Sequence, residues 1–234
     1  MFNQKVYALK PIIFCCCAYV LFSIITFCST KRFIHLMMVW NVFLAFLPLF
    51  FAVFFILNDE RRIWHKTLLC GFMWLFFFPN APYIVTDIIH LQGITFYSIT
   101  KSSTAVYTTN FLSWMSLVHI SIGIFIGTWA GMLSLMIIHQ WLLKKMSRYL
   151  VRGILLIIFI ISGYAIYIGR IMRMNSWDIF MPALYSQISK NITLFSIGFS
   201  LLFALYIFLI YSFFSFIFFS LAAENSSNER WISR

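Results

Sequence analysis

Charge is what this chain lacks most. Only 10% of its 234 residues are charged, and the acidic ones number six against 17 Lys and Arg. Hydrophobic residues make up 62% and aromatics 21%. A soluble fold of this length cannot hide so much apolar surface, so the composition marks an integral membrane protein. Short segments of alternating polarity are also missing, which excludes a membrane β-barrel. The long, nearly uncharged runs read instead as helices. Cysteines at metal-binding spacing are missing too. Cys15, Cys16, Cys17, Cys28 and Cys70 lie in apolar runs, without a suitably spaced histidine and outside any external loop. They read as small apolar residues rather than disulfide or zinc ligands, with acylation of the Cys15–Cys17 triplet as the alternative. The first apolar run follows Lys5 and Lys10 as a signal sequence would. It has no small-residue cleavage site after "FCST", so it is expected to stay as a first span.

What is present is a succession of six apolar runs, 11–28, 36–57, 66–90, 111–138, 153–169 and 192–221. At about 1.5 Å per residue, roughly 20 residues cross the hydrocarbon, so each run is a candidate span. The expected fold is all-α: a single six-helix membrane bundle over residues 1–221, with a polar cytoplasmic tail over 222–234. No internal repeat or linker divides it. The net charge of +11 sits between the apolar runs. It therefore reads as a topology signal and as contacts to anionic lipid heads, not as a nucleic-acid surface. With the N-terminus inside, 11 Lys and Arg fall on the inner side and 6 on the outer. Both termini are thus expected in the cytoplasm.

That orientation gathers the unusual polar residues at the outer side. "FFFPNAPYIVTD" ends the third run with Pro79, Asn80, Pro82 and Asp87. The prolines remove backbone donors within the hydrocarbon, and the freed carbonyls must be buried in protein or line a wet cavity. A break is expected here. Asn80 would patch it and N-cap a short second helix from Tyr83 to His90, with Asp87 and His90 on one face. This is either a simple proline kink or the meeting of half-helices that membrane binding sites use. In "GYAIYIGRIMRMNSWDIF", Arg170 and Arg173 are also three apart and can point one way. Asn175 and Asp178 read as the start of a short outer interfacial helix, with Trp177 in the headgroup layer. The two arginines either clamp a phosphate or carboxylate, or pair with Asp87 to lock the third and fifth spans together. Gly123, Gly127 and Gly131 form a double GxxxG on the fourth run, a ridge for close helix packing. His119, in the outer half of that run, is one more step along the ridge and should face the protein interior. Asp87, His90, His119 and Asp178 have the right chemistry for a metal but no diagnostic spacing, so neither metal nor cofactor is expected.

The segments "WLFFFPNAPYIVTDIIHL" and "GYAIYIGRIMRMNSWDIF", after "WNVFLAFLPLFFA", resemble the bacterial membrane family called domain of unknown function 1361. The resemblance implies a polytopic protein of the bacterial cytoplasmic membrane and no particular activity. It also implies an acidic residue near the start of the fourth span, where this chain has Asn110. Three readings follow. One is a site for an anionic or lipid-linked substrate at the outer face, with Asp87 or Asp178 as acid or base. Asn80, His90, Arg170, Arg173, Asn175 and Trp177 would bind it. The second is a noncatalytic accessory or scaffold subunit, in which the cluster is an ion-pair lock. The third is a carrier of a small solute or lipid, which the apolar inner halves disfavour. Expected partners are the lipid bilayer, anionic lipids, and a second copy or another membrane protein.

Overall fold

The computed structural model describes residues 2–100, 103–174, 188 and 191–232, with side chains from Phe14 to Ser220. The chain runs as α1 (Phe2–Thr30), α2 (Ile34–Glu60), α3 (Trp64–Phe77) and α4 (Asn80–Tyr83). A 3-10 helix (Ile84–Leu91) and a hairpin of β1 (Tyr97–Ile99) and β2 (Ala105–Tyr107) follow. α5 (Phe111–Lys145), α6 (Arg148–Arg170) and α7 (Leu194–Ile232) complete it. Among the described residues, five stretches are long and apolar enough to cross a membrane: Ile34–Glu60, Trp64–Leu91, Phe111–Lys145, Arg148–Arg170 and Leu194–Ser220. A shorter apolar helix, Phe14–Thr30, precedes them. α1, α2 and α6 extend past their apolar runs at both ends. α7 continues to Ile232, into the segment that composition marks as a polar tail.

α5 is the axis of the bundle. In its apolar window 56% of residues are buried, against 17% in α7, which therefore lies at the periphery. The glycine ridge explains how neighbours approach so closely. A Cβ on Gly123 would meet the Tyr19 hydroxyl of α1 and Met38 of α2. One on Gly127 would crowd Ala45 and Ile84, and one on Gly131 would run into the Ala81 methyl. The ridge is thus the seat on which α1, α2 and the proline segment rest. Farther inward, Trp74, Phe78, Leu135, Ile158 and Ile207 form the main apolar core, joining α3 and α5 to α6 and α7.

The expected break falls at the proline segment, where α3 ends at Phe77 and α4 begins at Asn80. Across it Phe78 and Pro79 keep right-handed helical angles, φ −54° and −59°, so the chain tightens there without turning away. Pro79 and Pro82 offer no N–H. The Ala81 N–H bonds back to Phe78 O at 3.1 Å, a three-residue step. That leaves Phe77 O without its usual partner, and the Asn80 side-chain amide donates to it at 3.0 Å. Asn80 is therefore the patch and not an N-cap, for it sits inside α4. The continuation, the expected short second helix, is a 3-10 helix over Ile84–Leu91. The hairpin beyond it, with Tyr97 opposite Tyr107 and both exposed, has no signature in the sequence. Its strands are three residues each, too short for alternation to show.

Candidate functional site

The 3-10 geometry sets the site. With three residues per turn, Asp87 and His90 stand directly above one another. Asp87 is buried, while His90 is exposed, its Nε2 3.9 Å from Asp87 Oδ1. An ionised carboxylate at this depth requires partners, and the neighbouring helices supply them. Arg170, the last residue of α6, places a guanidinium nitrogen 2.6 Å from Asp87 Oδ1. Asn41 of α2 donates its amide to Asp87 Oδ2 at 2.6 Å. Arg170 Nε also donates to the Thr86 hydroxyl at 2.8 Å, and a second guanidinium N–H reaches the same oxygen. The Thr86 hydroxyl in turn donates to Tyr83 O at 2.7 Å. The guanidinium stacks over the Tyr83 ring, its carbon 4.5 Å from the centroid, a cation–π contact. Asp87 therefore ties α2, the 3-10 helix and α6 together, with both carboxylate oxygens engaged.

A cavity of about 1030 Å³ opens beside this centre, between α2, α3 with α4, and α6. Its polar end presents Asn41, Asn80, Asp87, His90, Arg170 and Arg173. Its walls are apolar, with Trp40, Phe72, Phe76, Ile161 and Ala165 among them. Arg173 does not share a helix face with Arg170, because α6 ends at Arg170 and Arg173 has φ +56° in the left-handed region. The two arginines nevertheless line one cavity, and their situations differ. Arg170 is held by Asp87 and Thr86, whereas Arg173 is exposed and makes no hydrogen bond or ion pair among the described residues. Asn175, Trp177 and Asp178, and with them the expected interfacial helix, lie outside the described residues.

A second polar centre sits under the same end, sealed between α1, α2 and α5. His119, fully buried, contacts Ser23 Oγ through Nε2 at 2.7 Å and His35 Nδ1 through Nδ1 at 3.0 Å. His35 Nε2 reaches Ser116 Oγ at 3.3 Å. Tyr19 stacks on His119 with ring centroids 5.1 Å apart, and Phe22 packs edge-on. Two neutral imidazoles and two hydroxyls can satisfy one another along this chain. His119 thus hydrogen bonds across to neighbours. Its partner His35 opens α2, where a lone histidine after a basic pair gave no sign of its burial. Tyr83 and Thr86 were equally silent; only their place within a turn of Asp87 could have pointed to them. Among the described residues no group of three His, Cys, Asp or Glu side chains has the arrangement to hold a metal ion. Asn110 serves another purpose: its Oδ1 accepts from Leu112 N–H at 3.1 Å and caps α5.

Long apolar helices, long enough to cross a bilayer and with their backbone hydrogen bonds made within each segment, define a multi-span helical membrane protein. A family described as Protein of unknown function (DUF1361) matches residues 40–226, and the chain belongs to that family. The match runs from within α2 to within α7 and so contains every residue of the Asp87 centre. No curated protein and no solved structure matches the chain.

Proposed function

We propose that this end of the bundle binds an anionic group, a phosphate or carboxylate, through Arg173, with the Asp87–Arg170 pair as a fixed floor. The positive-inside count puts this end on the extracytoplasmic side, the chain crossing six times with α1 as the first span. The carrying observation is the division of labour between the arginines. Arg170 is neutralised by Asp87, so the cavity keeps one cation whose charge is not spent within the described residues. Arginine forms bidentate bonds with phosphate and carboxylate, which suits it to that place. Acid–base chemistry at Asp87 has less support, because Arg170 and Asn41 already take up its two oxygens as structural partners.

The second reading, a noncatalytic subunit with the cluster as a lock, draws on the burial of Asp87 itself. The two separate on ligand binding. Purified protein in uncharged detergent is titrated with glycerol phosphate and with acetate, and thermal shift is followed. The binding reading expects a saturable rise in midpoint that Arg173→Gln abolishes. A flat response in the unmodified protein, with Arg173→Gln unchanged in stability, leaves the lock alone.

A further inference from the structure

The cavity is a cleft in the side of the bundle. On α3, Phe72 is 60% exposed and Leu75 37%; across from them on α6, Ile161 is 48% exposed. All three line the cavity, and all three belong to apolar membrane-crossing stretches. Surface exposed there faces hydrocarbon, so the walls of the cleft are continuous with the lipid-facing surface. From Arg170 down to Ile161, α6 descends about 14 Å. That is close to half of a hydrocarbon layer about 30 Å thick, the depth of one leaflet. A soluble anion would use only the polar end and leave this apolar length empty.

We infer that the cleft takes an anionic lipid sideways from the outer leaflet, its chain along α3 and α6 and its phosphate at Arg173. This rests on the anion-binding reading for the head and adds the cleft for the chain. The charge arrangement fits an anionic head. Arg170 beside Asp87 is neutral as a pair, so the positive charge left at the polar end of the cleft is that of Arg173. Ala165 is the position to probe. It lines the cleft between Ile161 and Arg170, is half-buried, and carries no charge or hydrogen-bonding side chain.

The experiment is lipid retention by native mass spectrometry. Protein is taken from vesicles of equal phosphatidylglycerol and phosphatidylcholine, beside the glycerol phosphate titration in detergent. The unmodified protein should keep phosphatidylglycerol in preference. Arg173→Gln should reduce that preference about tenfold, the loss of one charge-assisted contact. Ala165→Trp should displace the lipid yet leave glycerol phosphate binding intact. Ile161→Trp, at an already exposed position, repeats the block if Ala165→Trp does not fold. Unchanged retention in the blocking variants, with soluble binding still dependent on Arg173, overturns the cleft and spares the anion site. Lipid lost on blocking but indifferent to Arg173→Gln overturns the head assignment. No retained lipid, with Ile161 shielded from lipid by protein, overturns the lateral opening itself.

Discussion

The two ends of the bundle hold similar pairs in different surroundings. At one end Asp87 meets Arg170 at 2.6 Å with only 2% of the Asp87 side chain exposed. At the other, Asp59 meets Lys145 at 3.8 Å, with 31% and 54% of the side chains exposed, and accepts from Trp141 Nε1 at 2.8 Å. The chemistry is a carboxylate and a cation in both. The consequences differ because water can replace a partner at Asp59 and cannot at Asp87. The buried pair therefore fixes three elements in register beside a cavity, whereas the exposed one joins the ends of α2 and α5 at the opposite end of the bundle.

The comparison can be broken from its strong side first. Asp87→Ala strands the Arg170 guanidinium and should cost about 3–5 kcal/mol in detergent unfolding. Removing both charges as Asp87→Leu with Arg170→Met should cost less than Asp87→Ala alone, since no buried ion is left unpaired. Gly131→Leu tests the seat beneath the pair. Even a bare Cβ there would overlap the Ala81 methyl, so a larger side chain must shift the segment that carries Asp87, at about 1–3 kcal/mol or more. Gly153→Leu is its control, with open space around the glycine, and should be neutral or stabilising in the same assay. On the weak side, Asp59→Ala should cost about 0–1 kcal/mol by the same unfolding measurement. A loss at Asp59 equal to that at Asp87 would remove the distinction between the ends.

How legible this was depends on the kind of signal. Long apolar runs announce membrane-crossing helices without reference to anything distant, so the helical bundle was readable. The pairing of an arginine with Asp87 was readable as one of two alternatives, because a charge at that depth needs a partner. The choice of Arg170 was not, since it depends on α6 ending at that residue. Asn80 showed its patching role but not its position inside α4, because two prolines usually signal a break. Here the glycine ridge holds the segment close enough to stay helical, a tertiary effect. The His35–His119 contact joins residues far apart in sequence and no local pattern encodes it. The hairpin carried too few residues to show a period.

The central claim is that one arginine of the cavity is structural and the other is free to bind. It is tested most directly by unfolding Arg170→Gln and Arg173→Gln side by side in the same detergent. Arg170→Gln should lose about 3–5 kcal/mol, because Asp87 is left buried and unpaired. Arg173→Gln should stay within about 0.5 kcal/mol of the unmodified protein. Equal, steep losses in both would contradict the division and make the whole cluster a lock.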